Sequence, residues 1–103
     1  MSGGITIIGN TNLDVMVGDT CDLPEPGTER VVSSVSLRLG GSAGNLALRC
    51  AGLKFPTTLV SRVGDDASVP ILEAELRVPS LTARLLRTTG ETSGISVAVE
   101  GPG

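Results

Sequence analysis

The sequence has no His, no Trp and no Tyr, and Phe55 is its single aromatic residue. Without His, the His-based nucleophilic triads and most zinc sites are excluded. Without aromatic rings the largest single burial areas are missing, so a core must be built from Val, Leu, Ile and Ala. Cys21 and Cys50 are too few and too far apart for a disulfide framework or a metal knuckle, and read as reduced thiols of a cytoplasmic protein. No apolar run approaches the ~18 residues of a spanning helix. No charged segment leads into a long apolar stretch at the start, so no signal peptide is read. Positive charge is sparse too. The eight basic residues are scattered through a chain of net charge −3. That excludes an electrostatic footprint for nucleic acid and a basic amphipathic stretch for a membrane surface.

What is present is ordinary globular material: 103 residues, 40% hydrophobic, 18% charged, with 14 Gly and 6 Pro. A chain of this length forms at most one small domain and buries a smaller share of its surface than a larger one. Ile5 to Ile8 is a β-branched run between glycines and predicts a strand buried on both faces. Leu13 to Val17 continues as an extended arm, and Leu23-Pro24-Glu25-Pro26-Gly27 predicts a turn-rich connector. Val31 to Leu39 alternates as a strand with one covered face. Ala43 to Ala51 suits a helix, with Gly52 at its stop. Thr57 to Val63 predicts a strand, Val69 to Leu76 a helix, and Leu81 to Leu86 and Ile95 to Val99 two more strands. Alternation of this kind is an α/β layer architecture. The final Gly101-Pro102-Gly103 has a turn composition that leads into a further element.

The segment Leu39-Gly40-Gly41-Ser42-Ala43-Gly44-Asn45 lies between a predicted strand and a predicted helix. Small residues admit a ligand close to the backbone, and the helix amino terminus behind them offers unpaired N–H groups to an electron-rich group. Asn45 adds a donor and an acceptor suited to a polyhydroxylated ligand. Taken alone, the segment is better read as a tight turn. It is not a P-loop, since no Gly-Lys-Ser/Thr occurs, and the glycines do not follow the first strand as a dinucleotide fingerprint requires. That disfavours a dinucleotide-binding oxidoreductase. Asp14 follows the first strand, where ligand sites of open α/β sheets collect; taken alone, it is better read as an exposed loop acid capping a turn, and Asn12 likewise as a turn residue. Gly64-Asp65-Asp66 reads as a turn and a helix start in preference to a metal site.

Five segments in order, IIGNTNLD, LPEPGTE, LGGSAGNLA, SRVGDD and TGETSGISVAV, together resemble the ribokinase/PfkB family of carbohydrate kinases. The resemblance implies a ribokinase-like α/β fold, here the amino-terminal part of its central sheet plus a β-lid. Residues 1–103 would be a partial kinase domain, about the first third of a typical member. It implies ATP- and Mg2+-dependent phosphorylation of a sugar or nucleoside hydroxyl. Asn12 and Asp14 would bind the substrate, with Gly40, Gly41 and Asn45 closing the loop around it. The regions Val31 to Leu39 and Thr92 to Val99 correspond to the lid, which in the family often pairs with a second subunit. The family's catalytic Gly-Ala-Gly-Asp motif and its ATP-binding loops have no counterpart among these residues. The chain alone is therefore expected to hold no catalytic residue, no metal and no nucleotide, and to be inactive. The alternative is a non-catalytic module, derived from a sugar kinase, that binds a ligand or pairs with a subunit.

Overall fold

A computed structural model describes residues 4–18 and 23–100. Cys21 and the closing Gly-Pro-Gly lie outside the described residues, while Cys50 is a half-buried free thiol. The elements are β1 (Ile5–Ile8), β2 (Asn12–Gly18), β3 (Ser34–Gly40), α1 (Ser42–Gly52), β4 (Thr57–Val63), α2 (Ser68–Glu75), β5 (Leu81–Arg87) and β6 (Gly94–Val99). They form two three-stranded sheets, a parallel one in the order β1-β4-β5 and a mixed one in the order β3-β2-β6.

The parallel sheet makes the body. Ile7, Leu59 and Val63 pack with Ala43 and Ala47 of α1 and with Val69 and Leu72 of α2, and Leu81 and Leu85 of β5 close the cluster. The core is aliphatic, as the composition requires, and Phe55 is exposed. α1 can lie close to the strands because its inward positions are Ala43, Gly44, Ala47 and Ala51. The opposite face of the sheet is bare: Ile8 is 79% exposed and Leu86 is 57% exposed. The expectation that β1 is buried on both faces is therefore corrected. Its β-branched run does form a strand, but only Ile7 is covered, because both helices pack on one side. α1 ends at Gly52, as expected, but the left-handed residue that follows is Lys54, with φ 68°.

The second sheet is the lid expected from the resemblance, with the extended arm as its central strand. β2 runs antiparallel to β3 and parallel to β6, and Leu13, Val15 and Val17 stand opposite Leu39, Leu37 and Val35 on one side and Ile95, Val97 and Val99 on the other. A two-residue period thus places these aliphatic side chains on one face and Asp14, Met16, Ser36, Arg38 and Ser96 on the other. α2 packs against the base of β2 and β3, where Leu13 and Leu39 are buried. Further out, Val35, Leu37, Ile95, Val97 and Val99 are all exposed. The covered face predicted for Val31 to Leu39 is thus apolar but uncovered, and the strand begins only at Ser34. The projecting lid gives a radius of gyration of 16.3 Å, against about 13 Å for a compact chain of this size. No described helix is long and apolar enough to cross a membrane.

Candidate functional site

The two sheets meet where β1 passes into β2 and β3 passes into α1. Asp14 is on the polar face of β2, opposite Arg38 of β3 and Ser96 of β6. Its Oδ1 accepts hydrogen bonds from Asn12 Nδ2 at 2.7 Å and from Ser96 Oγ at 2.7 Å. Two neutral donors on one oxygen orient the carboxylate and leave Oδ2 for a ligand donor. The carboxylate lies over Gly40, where a Cβ would collide with both of its oxygens. Gly41 has φ 90°, and a Cβ there would stand 2.6 Å from the Asn10 carbonyl oxygen and 3.0 Å from Asn12 Oδ1. The paired glycines therefore answer two demands: Gly40 makes room for the acid, and Gly41 turns the chain into the helix through a conformation L side chains avoid.

α1 begins without a side-chain cap, and Ser42 Oγ instead donates to Asn10 Oδ1 at 3.2 Å. The Asn45 N–H is already bonded to the Gly41 carbonyl at 3.0 Å, while its side chain is exposed. Asn45 shares with Asp14, Met16, Ser36 and Arg38 a groove of about 530 Å³ along the polar face of the lid. Beneath it, the buried Thr11 and Ser61 hydroxyls are 3.0 Å apart and join the β1–β2 connection to β4.

The five residues singled out from the sequence thus fall in one region, with different placements. Asp14 and Asn45 line the groove, Asn12 and Gly40 touch the Asp14 carboxylate, and Gly41 lies behind Asn12. No hydrophobic wall separates Asp14 from the glycines. Two residues beside Asp14 were not foreseen: Ser96, which donates to its carboxylate, and Arg38, which lines the groove. Neither carries a local signal, because each reaches Asp14 only through strand pairing.

A second polar cluster surrounds Asp66. Its Oδ1 accepts from the Ser68 N–H at 3.1 Å, the helix-start role expected of it. It also receives Ser93: the Ser93 N–H donates to Oδ2 at 2.7 Å and the Ser93 hydroxyl to Oδ1 at 3.0 Å. The Ser93 backbone bond, foremost among these, holds the Asp66 carboxyl below its ordinary range. Among the described residues no group of three or more His, Cys, Asp or Glu could hold a metal ion.

No family model matches the chain, and no curated protein matches it. Solved structures do. Arabidopsis thaliana ribokinase, solved with ribose and ATP, aligns over 96% of this chain and 32% of its own, with TM-score 0.84 and 25% identity. Giardia lamblia ribokinase aligns over 95% of this chain and 32% of its own, with TM-score 0.78 and 24% identity. A carbohydrate kinase from Agrobacterium tumefaciens aligns over 98% and 32%, with TM-score 0.81 and 17% identity. The chain spans about a third of the length of each. It has the ribokinase-like fold and aligns, over nearly all of its length, with about one third of each of these kinases.

Proposed function

We propose that the chain supplies the sugar-gripping part and lid of an enzyme that phosphorylates a hydroxyl of a sugar or nucleoside, with ATP as donor, in the cytoplasm. One observation carries this reading: Asp14, oriented by Asn12 and Ser96, opens with Asn45 on one polar groove floored by glycine. A fixed carboxylate oxygen accepts a hydrogen bond from a substrate hydroxyl, and an amide beside it both donates and accepts. These groups bind and orient; they do not transfer a phosphoryl group. The described residues do not fit ATP or Mg2+, having no phosphate-cradling Gly-Lys-Ser/Thr loop and no cluster of carboxylates. On this reading the nucleotide, the metal and the general base are supplied from outside residues 1–103. The lid's part is to cover the bound polyol and exclude water from it.

A second reading, a non-catalytic ligand-binding or subunit-pairing module, is favoured by the row of exposed Val35, Leu37, Ile95, Val97 and Val99 on the lid. A contiguous apolar face of that kind suits pairing with a second copy. The two readings share the lid dimer and differ in catalysis.

Phosphorylation assayed with the full open reading frame, across ribose, fructose, 2-keto-3-deoxygluconate and adenosine, separates them. Asp14→Ala is expected to lower kcat/KM by roughly a hundredfold or more, the scale of a lost charged hydrogen bond together with lost positioning. An Asp14→Ala enzyme within a few-fold of wild type overturns the assignment. A full-length product inactive on the whole panel, yet binding one of its members, favours the module.

A further inference from the structure

The strand that delivers Ser96 to Asp14 has little of its own to hold it in place. Every residue of β6 is exposed, and among the described residues β6 pairs only with β2. Its register nevertheless decides the state of the site. A slip of one residue would present Ile95 or Val97 on the polar face, and a slip of two would set Gly94 or Ala98 opposite Asp14, none of which carries a hydroxyl.

The register is pinned just before β6 begins. Ser93 is buried, and both its N–H and its hydroxyl end on the Asp66 carboxylate. The Gly64 N–H donates to the Ser93 hydroxyl at 3.0 Å, and the Asp65 N–H to the Glu91 carbonyl at 2.8 Å. Gly64 has no room for a Cβ, because the backbone of Thr92 and Ser93 lies directly on it. At its other side Asp66 is tied to the first turn of α2, the helix that packs against the base of β2 and β3. The same carboxylate thus joins the start of α2 to the start of β6, and Ser96 follows Ser93 at about 10 Å of extended chain.

We propose that Asp66 is a positioning residue: through Ser93 it sets the register of β6 on β2, and so places the Ser96 hydroxyl on Asp14. The consequence for substrate binding rests on the reading given above for Asp14; the register itself does not.

Segment-resolved hydrogen exchange on the 103-residue chain tests the register. Asp66→Asn keeps an oxygen for the Ser68 N–H but offers the Ser93 N–H an amide nitrogen that cannot accept. The amides of β6 are expected to exchange about tenfold faster, as for loss of a hydrogen bond to a charged group, with β4 and α1 unchanged. Ser93→Ala, which keeps the backbone bond, is expected to give a smaller change in the same segment and serves if Asp66→Asn does not fold. Unchanged β6 exchange, or acceleration spread equally over β4, α1 and β6, overturns the proposal. Calorimetry with D-ribose and D-fructose tests the consequence: Ser96→Ala should weaken binding in the wild-type background and add nothing in Asp66→Asn. Additive losses refute the link from Asp66 to Asp14. If neither sugar binds the wild-type chain, the sugar reading fails for these ligands while the exchange result still decides the register.

Discussion

The body and the lid are both three-stranded sheets, yet they are held together differently. In the body, Leu59, Val69 and Leu72 are fully buried between strands and helices, so apolar burial and close packing stabilise it. In the lid, only Leu13 and Leu39 of the aliphatic face are buried, and the remaining order comes from backbone pairing and the polar ties at Asp14 and Asp66. On the proposed reading this sheet closes over a ligand, and such an element has to be weakly packed, because a packed core does not open. A sheet whose register is set by hydrogen bonds and a few polar side chains meets that need, at the cost of an exposed apolar face.

The comparison breaks most sharply under core deletion. Leu59→Ala is expected to destabilise the chain by roughly 2–5 kcal/mol, whereas Val97→Lys on the open lid face should change stability by about 0.5 kcal/mol or less and, on the subunit-pairing reading, suppress self-association. Urea titration and sedimentation of both variants check this. Equal destabilisation by the two would show that the lid face is packed after all.

Gly41→Val probes the join between the regions. A β-branched residue at φ 90° whose Cβ meets the Asn10 carbonyl should cost about 1–3 kcal/mol and displace Asn12 from Asp14. The loss of sugar affinity then comes from the misplaced Asn12, since Gly41 does not line the groove. Calorimetry of the variant beside Asn12→Ala checks it: similar losses are expected, and undiminished affinity in Gly41→Val would contradict it.

The smallest expected effect is in pH. The folded state holds Asp66 below its ordinary value of 3.8. Its contribution to stability is therefore complete above that value and is lost as pH falls through the lowered folded one. Urea midpoints measured from pH 6 down to pH 3 should fall less steeply for Asp66→Asn than for wild type. Parallel curves would show that the Ser93 ties are not formed in solution.

Much of the fold was legible in the residues. Thr57 to Val63 is a strand with the predicted limits, because alternation and β-branching act locally, and the Gly40-Gly41 break falls where the chain turns into α1. Gly52 was legible as the end of α1, but not that the left-handed turn beyond it falls on Lys54. Within the candidate site, Asp14, Asn12 and the glycines were singled out by the resemblance of the segments that carry them, since each taken alone reads as a turn residue. Ser96 and Ser93 were not, since their partners Asp14 and Asp66 lie 82 and 27 residues away and a serine before or within a strand has no local signature.

The sequence alone determined that the interior would be aliphatic and that strands and helices would alternate. Both depend on side-chain chemistry and spacing along the chain. Only the tertiary structure decided which sheet faces stay bare, and that Ser96 orients Asp14 while Asp66 anchors the strand that carries it. Those relations arise from strand pairing between distant segments, and a one-residue change of register would have reversed every face without altering a single residue.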